Sequence, residues 1–134
     1  MTPADPSAIH QGLVVFAKNK TRVSAFYQQT LGLTPHESET SHDLLRGPGL
    51  EVVVHTIPRK IAAGITLQRP PVPRQDTPLK PTFVVGDLQA VRAAAVATGG
   101  YLKPDEGAWH FRGCKVLDGW DPEGNVVQFK QPEG

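Results

Sequence analysis

The sequence predicts an α+β fold of two βαβββ modules joined by a proline-rich segment. Three observations predict it. The order strand, helix, three strands is legible twice along the chain. The two helix starts, Asn19 and Asp87, lie 68 residues apart, about half of the 134 residues, and the helix-ending glycines Gly32 and Gly100 repeat that offset. Between the two patterns, Ile57 to Lys80 breaks both with Pro58, Pro70, Pro71, Pro73 and Pro78. An internal duplication is the simplest account of the repeat. Module one then covers about 12–56, the connector 57–80 and module two about 81–131.

The elements follow in order. Met1 to Gln11 is a polar lead-in. Gly12 to Ala17 is apolar on both faces, as an inner strand is. Asn19 or Thr21 can cap the helix that follows. Val23, Phe26, Tyr27 and Leu31 recur at i, i+3, i+4 and i+8, which is one helix face, and Gly32 stops it. Extended pieces are expected at Thr34–Glu39, His42–Arg46 and Leu50–Thr56, with Gly47-Pro48-Gly49 as the turn between the last two.

Within the connector, Pro70-Pro71-Val72-Pro73 favours polyproline II geometry and Ile61–Leu67 is its apolar patch. Its Arg59, Lys60, Arg69 and Arg74 read either as an anion site or as a solvated linker. Pro81 to Val85 restarts the pattern as a strand. Asp87 caps a helix running through Thr98, with Leu88, Val91 and Ala95 on one face. Strands are expected at Tyr101–Lys103, His110–Leu117 and Asn125–Lys130. The turn Asp121-Pro122-Glu123-Gly124-Asn125 precedes the last of them, since Pro fixes φ, Gly accepts a positive φ, and Asp and Asn cap their own backbone. Asp118 and Asp121 are both assigned to this turn, as capping residues.

Composition bounds the function classes. Hydrophobic content of 39%, charged content of 20% and a net charge of +1 describe an ordinary globular chain and favour neither nucleic acid nor anionic membrane. Cys114 is the single cysteine, so no internal disulfide forms, a reducing cytoplasm fits, and the residue reads as a small hydrophobe. No apolar run has transmembrane length, and the N-terminus lacks a signal-peptide pattern. No dinucleotide fingerprint, P-loop or nucleophile elbow is present.

Two segments carry a resemblance to a known family. Ala25-Phe26-Tyr27-Gln28-Gln29-Thr30-Leu31-Gly32-Leu33 and Asp121-Pro122-Glu123-Gly124-Asn125, with weaker support from Val85-Gly86-Asp87-Leu88 and Gly99-Gly100, resemble the vicinal oxygen chelate superfamily of glyoxalase I, extradiol dioxygenases and bleomycin-resistance proteins. The resemblance covers about 12–131. It implies mixed sheets that curl around a cavity, and a homodimer in which two modules complete each cavity.

It also implies four strand positions for a divalent metal, typically His and Glu, which chelates vicinal oxygens of the substrate. Counted from the motifs, these fall on Gly12, Glu51, Pro81 and Gln128. Gly12 and Pro81 have no ligating side chain, and a neutral amide is a poor ligand for Zn²⁺, Ni²⁺ or Fe²⁺. A two-residue shift would bring in His10 and still leave the third position empty. The expectation is therefore no cofactor and no metal site. Glu51 and His55 share a strand face about 13 Å apart, too far for one ion.

Strand parity then predicts the cavity lining. If Gly12, Glu51, Pro81 and Gln128 face inward, so do Val14, Phe16, Val53, His55, Phe83, Val85, Val126 and Lys130. Arg112 or Lys130 can offset the charge of Glu51. His55 is either a cavity residue or a strand-end surface residue, and His110 either a cavity residue or an ordinary strand residue. Trp109 and Trp120 are stacking walls, or alternatively strand-end or dimer contacts. The expected ligand-binding set is Phe16, Glu51, Val53, His55, Phe83, His110, Arg112, Trp120, Gln128 and Lys130. The leading expectation is a cytoplasmic, metal-independent binder of an apolar or aromatic small molecule. One alternative is an enzyme (lyase, isomerase or dioxygenase) with Glu51 as general base; another is an interaction subunit whose cavity is filled.

Overall fold

The computed structural model describes residues 11–134, so the lead-in and His10 lie outside the described residues. In module one, β1 (Gln11–Ala17), α1 (Lys20–Leu31), β2 (Thr34–Ser38), β3 (His42–Gly47) and β4 (Leu50–Thr56) follow in sequence. Their sheet has the order β1-β4-β3-β2, with β1 parallel to β4 and the remaining pairs antiparallel. The connector carries one short helix, α2 (Arg59–Ala62). Module two is β5 (Thr82–Val84), α3 (Leu88–Ala97), β6 (Tyr101–Leu102), a 3₁₀ turn at Asp105–Gly107, β7 (Trp109–Phe111), β8 (Cys114–Trp120) and β9 (Val126–Pro132). The second sheet has the order β5-β9-β8-β6, with β5 parallel to β9 and β7 hairpinned onto β8. The two sheets thus share one topology, which is the predicted α+β pair of βαβββ modules. Among the described residues no helix is long and apolar enough to cross a membrane.

Local chemistry explains the helices. The Asn19 side chain, rather than that of Thr21, accepts from the Arg22 N–H at 3.1 Å, and Gly32 closes α1 in the left-handed region at φ 65. Asp87 caps α3 through the Gln89 N–H at 2.9 Å. The two side-chain caps are therefore structurally equivalent, at the 68-residue offset read from the sequence. Both helices lie on one side of the sheets and pack against each other. Phe26, Tyr27, Leu88 and Val91 meet Val54, Leu117 and Phe129 in one continuous core that spans both modules. Gly100 is required at the helix crossing, since a Cβ there would lie 2.5 Å from the Phe26 ring.

Four expectations need correction. The predicted strand His110–Leu117 is two strands, broken at Arg112–Gly113. Both residues have positive φ, 49 and 76, and pair Phe111 with Cys114 across a two-residue turn. That geometry is a primed hairpin turn, and arginine is not among the residues that announce one. Second, Asp118 is not in a turn: β8 continues to Trp120, and Asp118 pairs with Gln128. Third, Phe83 pairs with Phe129 and is 7% exposed, so it faces the core, while Thr82 and Val84 face the other way. The inward position expected at Pro81 falls one residue later, on Thr82, the partner of Gln128. The last strand also runs two residues past the predicted end, to Pro132.

The turn before β9 ties the modules together. Asp121 is fully buried and accepts from the Tyr27 hydroxyl at 2.8 Å, from the Glu123 and Asn125 N–H groups at 2.8 and 3.1 Å, and from Asn125 Nδ2 at 2.8 Å. Burial pushes its pKa up against the hydrogen bonds that lower it. Burial also raises the Tyr27 phenol well above its ordinary value, with the Asp121 charge adding to it. Glu123 reaches the Lys18 and Asn19 N–H groups at 2.8 and 2.6 Å, so module two supplies a carboxylate to the start of α1.

Candidate functional site

With the helices on one side, the other face of each sheet is left open. On the first sheet, register aligns Gly12, Glu51 and Arg46 in one row, Val14, Val53 and Leu44 in the next, and Phe16, His55 and His42 in the third. Phe16 is 57% exposed although its strand neighbours Val15 and Ala17 are buried. Its ring lies 5.6 Å from that of His55, which stacks on His42 at 6.1 Å and 13°. His55 Nδ1 lies 2.8 Å from the Thr56 carbonyl, so the bond needs its proton on Nδ1 and leaves Nε2 as the acceptor of the neutral ring. The Glu51 carboxylate is half-exposed and lies 3.4 Å from Arg46 Nε. This partner is a strand neighbour, not Lys130 or Arg112.

On the second sheet the rows are Thr82, Gln128 and Asp118; Val84, Lys130, Val116 and Trp109; and Val126, Trp120 and Tyr101. Polar contacts run along the first row. Thr82 Oγ1 donates to Gln128 Oε1 at 3.3 Å, and Gln128 Nε2 donates to Asp118 Oδ1 at 3.4 Å. Lys80 Nζ closes on Asp118 Oδ2 at 3.0 Å and lies 5.9 Å from the centre of the Trp109 ring. The Phe111 ring has Lys130 Nζ at 5.5 Å and the Arg112 guanidinium at 5.3 Å. Trp120 is backed by Tyr101 at 4.5 Å.

The connector covers part of this surface. Arg74 pairs with Asn125 as a parallel bridge, and its N–H donates to the Gly124 carbonyl at 2.7 Å. Gly124 (φ 86) permits this approach, because a Cβ would meet the Val72 carbonyl oxygen at 2.2 Å. From there residues 73–81 pass over β9 and line two cavities that are open to solvent. One, of about 310 Å³, lies between β1 and β9 and is lined by Val14, Phe16, Leu79, Pro81 and Val126 among others. The other, of about 470 Å³, lies over β8 and is lined by Lys80, Lys103, Asp118, Trp120 and Val126 with the strap itself.

The structure therefore places Phe16, Glu51, Val53, His55, Trp120, Gln128 and Lys130 on the open faces, and brings Phe16 and Trp120 to the cavities. Phe83 is in the core. His110 pairs with Lys115, on the opposite face from Trp109 and Phe111, and contacts Glu133 at 2.5 Å. Arg112 sits in the hairpin turn. Sequence reasoning missed Asp118, His42, Thr82 and the strap residues Thr77 and Leu79; it named Arg74 among the connector's basic residues, as part of an anion site or of a solvated linker, without placing it at the sheet face. Alternation through Val116, Asp118 and Trp120 carried a signal for Asp118, which the adjoining turn motif obscured.

By sheet register, the four positions that hold a divalent metal in the resembled enzymes are Gly12, Glu51, Thr82 and Gln128. They offer no side chain, a carboxylate beside Arg46, a hydroxyl and an amide. These do not fit a transition-metal ion. Among the described residues, no three His, Cys, Asp or Glu are grouped so as to hold one elsewhere.

Open faces on two matched βαβββ sheets define the glyoxalase/bleomycin-resistance/dioxygenase fold. The chain belongs to the glyoxalase-like domain family, whose sequence model matches residues 12–129. Among solved structures it is similar to a glyoxalase/bleomycin resistance protein/dioxygenase family enzyme from Burkholderia phytofirmans PsJN, with 18% identity, a TM-score of 0.66, and 93% of this chain and 99% of that chain covered. It is similar to a glyoxalase/bleomycin resistance protein from Albidiferax ferrireducens T118, with 21% identity, a TM-score of 0.61, and 90% and 95% covered. The fosfomycin resistance protein FosX from Listeria monocytogenes matches at 11% identity and a TM-score of 0.64, with 95% and 93% covered. At these identities the likeness is one of fold. No curated protein matches the chain.

Proposed function

We propose that this protein binds an apolar or aromatic small molecule on its open sheet faces, without a divalent metal, as a cytoplasmic homodimer. The observation that carries the reading is the cavity between β1 and β9, where Val14, Phe16 and Val126 meet Leu79 and Pro81 of the strap. Apolar walls with a few fixed polar groups suit such a ligand. The donor set Gly12, Glu51, Thr82 and Gln128 supports metal independence. Solvent-facing Val84, Trp109 and Phe111, spread along the open face of the second sheet, support a partner module over it, because exposed large apolar groups on one face are what an interface covers. A general-base role for Glu51 has less support, since Arg46 engages its half-exposed carboxylate.

Two measurements test this. Metal analysis of protein purified without chelator is expected to find far less than one equivalent per protomer; one equivalent overturns metal independence. A thermal-shift screen of aromatic and alicyclic small molecules is expected to find stabilising ligands, because a ligand at about 100 times its Kd adds about 2.7 kcal/mol. A screen with no stabilising compound overturns the binding reading. Sedimentation equilibrium at a monomer mass overturns the dimer.

A further inference from the structure

The two cavities beneath residues 73–81 share four residues, Arg74, Thr77, Leu79 and Val126, so they are adjoining lobes under one strap. Their characters differ. The β1–β9 lobe is mainly apolar, with Arg74, Thr77 and Asn125 as its polar members. The β8 lobe has three cationic side chains, Arg74, Lys80 and Lys103, and one carboxylate, Asp118. Lys80 already neutralises Asp118 at 3.0 Å. Arg74 and Lys103 have no ion pair and no side-chain hydrogen bond to any other described residue. Of the acidic groups close by in sequence or fold, Glu123 engages the start of α1 and Asp105 engages Arg92 and Lys115, while Asp76 and Glu106 are exposed and make no ion pair with Arg74 or Lys103. Two cations without an ion pair among the described residues thus flank a lobe that Trp120 walls, with the Tyr101 ring tilted against it at 4.5 Å.

We infer that the ligand is an organic anion, whose apolar or aromatic body occupies the β1–β9 lobe and whose carboxylate- or sulfonate-like head lies against Arg74 and Lys103. The inference rests on the binding reading above and adds the charge of the ligand to it. Arg74 is the main specificity residue, because it lines both lobes and its backbone is pinned to Gly124, while its planar fork suits a two-oxygen acceptor. The chain as a whole is nearly neutral, so this preference is local and does not follow from net charge.

A matched pair of fluorescent probes tests it: 8-anilinonaphthalene-1-sulfonate, and N-phenyl-1-naphthylamine, which has the same aromatic body without the sulfonate. Titrated into the full-length protein, the anionic probe is expected to bind at one site per protomer, at least about tenfold tighter than the neutral one, which is about 1.4 kcal/mol. Added salt weakens the anionic probe alone. Arg74→Gln with Lys103→Gln is expected to bring the two affinities together by weakening the anionic probe more than the neutral one, while Arg74→Lys retains most of the preference. Both positions lie outside the buried core, and unchanged circular dichroism and thermal midpoint confirm that the variants fold. If the neutral probe binds as tightly as the anionic one, or the double variant keeps the anionic preference, the charge inference is overturned and the apolar cavity stands. If neither probe binds, the cavity reading fails with it.

Discussion

Replacing Asp121 with alanine tests how the two modules are held together. Its carboxylate is fully buried and accepts four hydrogen bonds, two from groups with little access to water: the Tyr27 hydroxyl and the Glu123 N–H. The Asn125 donors are partly exposed and can turn to solvent. Stranding a buried donor costs about 1–3 kcal/mol. Two such donors give about 2–6 kcal/mol. Part of this is offset because burying the carboxylate is itself unfavourable, as its raised pKa records. The net expectation is a loss of about 3–4 kcal/mol, or roughly 10–15 °C in thermal midpoint for a chain of this size. Tyr27→Phe removes one donor and leaves Asp121 with three, so it should cost about 1 kcal/mol. In the double variant the missing acceptor no longer strands the phenol, so the cost should be less than the sum of the singles. Urea denaturation of the four proteins with a common slope measures all of this. Asp121→Ala within about 1 kcal/mol of wild type, or strictly additive singles, would refute the picture of one buried node joining α1 to the β8–β9 turn.

Gly119→Ala places a Cβ 2.3 Å from the Tyr101 carbonyl oxygen, which is backbone of a paired strand, and should cost more than about 2 kcal/mol by urea denaturation. Phe16→Ala removes a ring that is 57% exposed, so the thermal midpoint should change little, while binding of the neutral naphthylamine probe is expected to fall sharply. Asp43 is 7% exposed; burial pushes its pKa up, but hydrogen bonds from Lys20, Ser38 and Ser24 outweigh it and hold it below the ordinary 3.8. A lowered folded pKa stabilises above the unfolded value and is lost as pH falls through the folded one. The stability gap between wild type and Asp43→Asn should therefore be constant above about pH 5 and shrink below 3.8, as urea melts across that range will read; a gap that widens on acidification would contradict it.

Much of the architecture was legible because it is locally encoded. Asn19, Gly32 and Asp87 act through bonds to residues within five positions, and the apolar face Leu88, Val91 and Ala95 follows from helix period alone. The duplication showed for the same reason, as matched caps at matched spacing. What failed locally was the Arg112–Gly113 turn, where an arginine takes a positive φ that its type does not advertise. Without a signal for that turn β7 and β8 read as one strand, and Asp118 reads as part of the adjoining turn motif although β8 runs to Trp120.

The site divides along the same line. Sequence alone put a glycine, which has no donor, and a glutamine, whose neutral amide is a poor one, at two of the four metal positions, and parity within β1, β4 and β9 determined that Phe16, Val53 and Gln128 share open faces. Only the tertiary structure decided the rest. Register between β5 and β9 turned Phe83 into the core and Thr82 outward, a one-residue difference that reverses every side chain. Packing of the connector on Gly124 brought Arg74 over the second sheet, a placement set by contacts across about fifty residues that no local pattern records. The segment that reads as a linker thus becomes the roof of the candidate site.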